Sequence, residues 1–109
     1  MQRPLEELDQ TIAARAADPS SSSYTTQLLT SGVDHMGAKI SEETAEAVEA
    51  AAEPGTAGRQ HLIREAADLV YHLLVLLHHR DSCLADVETE LARRAGVSGL
   101  AEKASRGST

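Results

Sequence analysis

Five carboxylates with helical spacing stand out in the sequence. Glu42, Glu43 and Glu46 lie in "KISEETAEAVEA", Lys39 to Ala50, and Glu65 and Asp68 lie in "EAADLVYHLLVLL". On a helix, residues three or four apart share a face, which places Glu65 beside Asp68 and puts Glu46 within reach of both Glu42 and Glu43. A single carboxylate at a helix seam costs several kcal/mol or takes up a proton. Several at one seam need counter-charge. Lys39 and Arg64 cannot balance them all, and Arg64 projects about 100° away from Glu65. Carboxylates without thiolates suit hard divalent cations, Mg²⁺ or Mn²⁺. The alternative is a solvated face of good helix formers, which must then explain why an acid borders the core.

The angular positions separate the acids. With Glu42 as origin and about 100° per residue, Val33, Ile40, Thr44, Ala47, Val48 and Ala51 gather on the opposite side, the expected core face. Glu42, Glu49 and Glu53 are placed to meet water. Glu46 and Lys39 lie between, and Glu43 borders the apolar face at Met36 and Ala47. On the following helix Leu62, Ile63, Ala66, Val70, Leu73, Leu74 and Leu77 make an apolar arc broad enough for a central position in a bundle. Glu65 sits at its edge, Asp68 a turn further on, and His61 and His72 lie on the same stripe.

The elements that must position these residues are all helical. Pro4 suits a first turn, and "LEELDQTIAARAA" has helical spacing. "DPSSSSYT" is a polar break, after which Thr25 or Thr26 is expected to cap a short helix through Leu28 and Leu29. A long helix spans about Val33 to Glu53, "PGTAG" ends it, and a second begins at Arg59 or Gln60 and runs to His79. Asp81 or Ser82 is expected to cap a last helix from Leu84 to about Ala95, with Gly96 as its stop. No strand-like alternation or internal repeat is present. The class is all-α, four to five helices in one domain over 1–96, with a polar tail over 97–109.

Composition narrows the function. The 109 residues carry a formal charge of −7, with no Phe, no Trp and only two tyrosines. That charge argues against nucleic-acid binding by a basic face and against docking on an anionic membrane. A cation, or a substrate that brings cations, is the natural counterpart. A core so poor in rings gains from self-association. One cysteine, Cys83, gives neither an internal disulfide nor a zinc framework and reads as packing near a turn. The N-terminal "MQRPLEELDQ" lacks a signal-peptide core, and "LVYHLLVLL" is too short to span a bilayer. A cytoplasmic protein is expected.

The Glu-Glu-x-x-Glu and Glu-x-x-Asp pattern resembles the all-α nucleoside-triphosphate pyrophosphohydrolase superfamily, the MazG-like and dUTPase-like group. Within it the likeness is to the phosphoribosyl-ATP pyrophosphohydrolases of histidine biosynthesis, carried by "DPSSSSYTTQLLTSG", "KISEETAEAVEAA" and "EAADLVYHLLVLL". The resemblance implies Mg²⁺-dependent hydrolysis of phosphoribosyl-ATP to phosphoribosyl-AMP and pyrophosphate by a homodimer or larger assembly. It implies Glu43, Glu46, Glu65 and Asp68 as metal ligands, with Glu42 taking a proton from the attacking water or orienting it. Glu46 and Glu42 are the expected catalytic pair. Ser23, Tyr24 and Thr25 are implied at the ribose-phosphate end; alone they read as turn and cap residues. Lys39 reads equally as a phosphate contact or an intrahelical partner of Glu42 or Glu43. His72 can donate to a metal-bound carboxylate or serve as a packing residue, and His35, His78 and His79 read as surface groups. The chain is too short for the cyclohydrolase domain fused to many relatives, so the stand-alone form is expected. "HHRDSCLADV" departs from the family's Gly-containing turn. A di-iron bundle is disfavoured because neither long helix has Glu-x-x-His. A different nucleotide pyrophosphohydrolase and a non-catalytic interaction module remain as alternatives.

Overall fold

Only Glu53 and Pro54 separate the two long helices in the computed structural model, which describes residues 2–18, 20 and 22–95. Five helices follow in order: α1 Pro4–Ala17, α2 Tyr24–Ser31, α3 Val33–Ala52, α4 Gly55–His79 and α5 Leu84–Arg94. A connection this short forces α3 and α4 to run antiparallel, and theirs is the most extensive helix–helix contact of the chain. The α1 and α2 helices also pack on α4, which is therefore central, and α2 touches α1 and α3. The Gly96 stop and the 97–109 tail lie outside the described residues.

Three boundaries differ from the sequence reading. "PGTAG" is expected to be a loop, yet α4 begins at Gly55, with extended Pro54 as its cap. Gly55 has φ +72°, which a glycine adopts freely. A Cβ on Gly58 would overlap the Glu53 carbonyl oxygen, so this glycine permits a close turn rather than breaking the helix. At α2 the cap is Ser23, whose Oγ accepts from the Thr26 N–H at 3.1 Å. Thr25 and Thr26, the expected caps, are buried. At α5 the cap is Cys83. Its N–H donates to the Asp86 carboxylate at 2.9 Å, and the Asp86 N–H donates to the Cys83 carbonyl at 3.1 Å. Asp81 and Ser82 are used in ending α4: their N–H groups bond the carbonyls of His78 and Leu77, with Asp81 at φ +57°. This is the Schellman arrangement, and Asp tolerates the left-handed position better than most residues.

The core is a cluster of Ile12, Leu28, Met36, Leu74, Val75 and Leu84. Asp9 ties three elements around it. Its Oδ1 accepts from His78 Nε2 at 2.8 Å and from the Leu84 N–H at the start of α5 at 3.0 Å. The side chain of His78 is thus largely buried, not a surface group. The expected core face of α3 also shifts. Met36 and Ala50 are buried and Ile40, Glu43 and Ala47 half-buried, while Val33, Thr44, Val48 and Ala51 are exposed. The contact with α4 follows Met36, Ile40, Glu43, Ala47 and Ala50 because a single facing helix covers one stripe, not the whole apolar arc.

Asp9→Ala leaves the Leu84 N–H and the His78 ring without their partner. It is expected to lower unfolding stability by about 1.5–3 kcal/mol, since hydrogen bonds to charged groups carry that range, measured by urea denaturation.

Candidate metal centre

The register of α3 against α4 brings Glu43 and Glu46 to Glu65. One carboxylate oxygen from each of the three lies within 4.8 Å of the others. All three residues are half-buried, and the Glu65 side chain keeps only 14% of its surface exposed. Two of their oxygens, Glu43 Oε2 and Glu65 Oε2, are buried with no hydrogen-bond partner. Unsatisfied buried carboxylate oxygens are costly. Like charges this close resist ionising together: a hydrogen bond shared with Glu65, then the Glu65 charge, holds the Glu46 carboxyl above the ordinary carboxylate range. Desolvation and the charges of Glu42 and Glu49 push the same way. Grouped carboxylate oxygens of this kind, two of them buried without a partner, fit a hard divalent cation.

The other expected site residues are disposed around this group. Glu42 is exposed and pairs with Lys39 Nζ at 3.7 Å, the intrahelical pairing that the spacing allowed. Asp68 is exposed and its carboxylate is not among the three grouped acids; it follows Glu65 by three residues on the same ridge of α4. His72 is buried. Its Nδ1 is 2.9 Å from the Asp68 carbonyl oxygen and its Nε2 is buried without a partner. When Nδ1–H donates to that carbonyl, the neutral ring presents Nε2 as an acceptor. Ser23 caps α2, the Thr25 hydroxyl lies 2.6 Å from the Tyr71 hydroxyl, and Tyr24 stacks on Tyr71. His35 is exposed and His79 half-buried.

His61 is a site residue to which the sequence reading gave no role. Its Nδ1 lies 2.9 Å from Glu53 Oε2 and its Nε2 3.3 Å from Glu65 Oε1. The hydrogen bond to Glu53 raises its pKa, against the opposing pull of desolvation. The imidazole therefore steadies Glu65 from outside the acid group. The i,i+4 spacing of His61 and Glu65 was visible in the sequence; the closure by Glu53 depends on the tight α3–α4 turn.

Fold and site together define an all-α bundle whose two longest helices pool carboxylates able to hold a divalent cation. The family model for phosphoribosyl-ATP pyrophosphohydrolase matches residues 5–95. A phosphoribosyl-ATP pyrophosphatase of Rhodopirellula baltica is 53% identical over 103 residues, covering 94% of this chain and 86% of that protein. Phosphoribosyl-ATP pyrophosphatase 1 of Bradyrhizobium diazoefficiens is 49% identical over 102 residues, 94% of this chain and 93% of its own. A phosphoribosyl-ATP pyrophosphatase of Paracoccus denitrificans is 50% identical over 102 residues, covering 94% of this chain and 92% of that protein. The chain belongs to the phosphoribosyl-ATP pyrophosphohydrolase family.

Glu46→Gln removes one of the mutually repelling charges. In EDTA the variant is expected to melt higher than the unaltered protein. Mg²⁺ is expected to raise the melting temperature of the unaltered protein by binding the folded state, and that of the variant much less. Thermal melts by circular dichroism at neutral pH with and without Mg²⁺ check both.

Proposed function

We infer that this chain hydrolyses phosphoribosyl-ATP to phosphoribosyl-AMP and pyrophosphate, the second step of histidine biosynthesis. The observation that carries the reading is the three-acid group with two orphaned buried oxygens, in a chain of this family. Glu43, Glu46 and Glu65 are the proposed Mg²⁺ ligands. Asp68 is proposed as the fourth, supported by its i+3 spacing from Glu65 and its free exposed position. When bound, Mg²⁺ supplies charge neutralisation of the triphosphate and polarisation of phosphorus and of water.

The chain's own residues do the rest. His61, anchored by Glu53, fixes the orientation of Glu65. Glu42, exposed on the turn of Glu43 and Glu46, is proposed to receive the proton of the attacking water; its pairing with Lys39 supports a defined orientation. Lys39 itself is placed to meet a phosphate oxygen. Ser23, Tyr24 and Thr25 are proposed at the ribose-phosphate end of the substrate, supported by the direct link from Thr25 to Tyr71 on α4, the helix that carries Glu65 and Asp68. No helix among the described residues is long and apolar enough to cross a membrane, which together with the single cysteine supports a cytoplasmic setting.

A homodimer or larger assembly is part of the same proposal. Leu5, Ile63, Val70, Leu73, Val87 and Leu91 are each more than a third exposed. An apolar groove of about 540 Å³ runs between α4 and the flanking α1 and α5, lined by Leu5, Val70, Leu73, Leu77 and Val87 among others. A second copy covering this groove would bury the apolar arc of α4 that one chain leaves in water.

Two measurements check these readings. Incubation with phosphoribosyl-ATP is expected to release pyrophosphate with Mg²⁺ and not with EDTA; faster release from another nucleoside triphosphate would reassign the substrate. Leu73→Asp is expected to convert the assembly to monomers by light scattering after gel filtration, because it places a charge in the covered groove.

A further inference from the structure

Glu53 is the C-cap of α3 and His61 lies on the second turn of α4, and the tight connection between the helices brings them together. Both Glu53 oxygens meet one ring nitrogen: His61 Nδ1 lies 3.0 Å from Oε1 and 2.9 Å from Oε2. The backbone under this contact is set by Gly58, where any Cβ would overlap the Glu53 carbonyl group. Anchoring Nδ1 directs the rest of the ring, and Nε2 faces Glu65 Oε1 at 3.3 Å. The two oxygens of Glu65 are therefore unlike. Oε1 is engaged by His61, whereas Oε2 is buried and has no hydrogen-bond partner.

That difference bears on which cation fits. A carboxylate can give a metal one oxygen or two. Ca²⁺ gathers about six to eight oxygens and accepts carboxylates in either way, whereas Mg²⁺ is smaller, demands near-octahedral geometry and keeps several of its waters. Limiting an acid to one oxygen costs Mg²⁺ little. It denies Ca²⁺ a contact that its larger coordination shell would use.

We propose that the Glu53–His61 pair restricts Glu65 to one ligating oxygen and thereby sets the preference of the site for Mg²⁺ over Ca²⁺. The assignment rests on the metal-ligand reading above and adds the residues that determine selectivity. His61 and Glu53 are positioning residues, and neither belongs to the three grouped acids. Glu53 acts through His61, and His61 acts through Glu65. Loss of either frees Glu65 Oε1 to join Oε2 on a larger cation.

The test uses the full chain without nucleotide. Mn²⁺ binding is followed by electron paramagnetic resonance, and Mg²⁺ or Ca²⁺ is titrated in at neutral pH to displace it. In the unaltered protein Mg²⁺ is expected to displace Mn²⁺ at lower concentration than Ca²⁺ does; the reverse order overturns the proposal. His61→Ala is expected to lower the ratio of Mg²⁺ to Ca²⁺ affinity by about tenfold, the low end of what partners of metal ligands contribute. Glu53→Ala, a change at a half-exposed side chain that spares the core, is expected to lower it in the same direction with His61 intact. Arg64→Ala is the charge control. The guanidinium acts on His61 through its charge alone, so its removal is expected to change both affinities together and leave the ratio in place, because the two cations carry equal charge. An unchanged ratio in His61→Ala and Glu53→Ala overturns the proposal, as does a ratio in Arg64→Ala that falls as far as in His61→Ala. Unaltered protein that binds no Mn²⁺ overturns the metal-ligand reading and the selectivity proposal with it. Unaltered protein that binds Mn²⁺ while the ratio ignores His61 leaves that reading standing and removes the proposal alone.

Discussion

Repulsion among Glu43, Glu46 and Glu65 is the constraint around which this structure is arranged. Packing energy from α3 on α4 forces three carboxylates together, with two of their oxygens buried and unsatisfied. In isolation such an arrangement opposes folding, because buried carboxylate oxygens without partners are costly. A divalent cation held in the group would supply the missing counter-charge. The surrounding features hold the two helices at this spacing.

Those features concentrate at the α3–α4 turn and along α4. Pro54, Gly55 and Gly58 compress the connection so that Glu53, outside the acid group, can still reach His61, which in turn meets Glu65. On the other side of α4, Asp9 gathers α1, the end of α4 and the first turn of α5 into one hydrogen-bonded knot. The buried core beneath is small and aliphatic, with Met36 filling space that larger rings occupy in other bundles. Rigidity near the site therefore comes from short turns and directed polar contacts as much as from core volume.

The exposed apolar surface is the other consequence of this economy. Ile63, Val70 and Leu73 continue the same helix that carries Glu65, but on faces that one chain leaves uncovered. A self-association that buries them would stabilise α4 along its length and hence the spacing of the acids it bears. Fold stability and site geometry are then linked through a single helix.

Much of this was legible in the sequence. Five helices, the long α3–α4 pair and the division of its acids into inward Glu43 and Glu46 and outward Glu42, Glu49 and Glu53 follow from a 3.6-residue period, which is local and strong. The caps were not legible in detail. Ser23, Thr25 and Thr26 can all cap by type, and only the tertiary burial of the threonines decides among them. Asp81 and Ser82 suit the start of α5 by residue type, and no local pattern shows that the end of α4 consumes them. His78 gave no sign of being buried, since its partner Asp9 is distant in the chain.

The sequence by itself determined the helices and which side of each carries charge, because side-chain direction along a helix is set by neighbours a few residues away. Only the tertiary structure decided which acids meet. The register of α3 on α4 groups Glu65 with Glu43 and Glu46 and leaves Asp68 facing solvent beside them. That choice depends on the tight turn at Gly55 and Gly58 and on packing across the seam, contacts between residues whose mutual position no local pattern encodes.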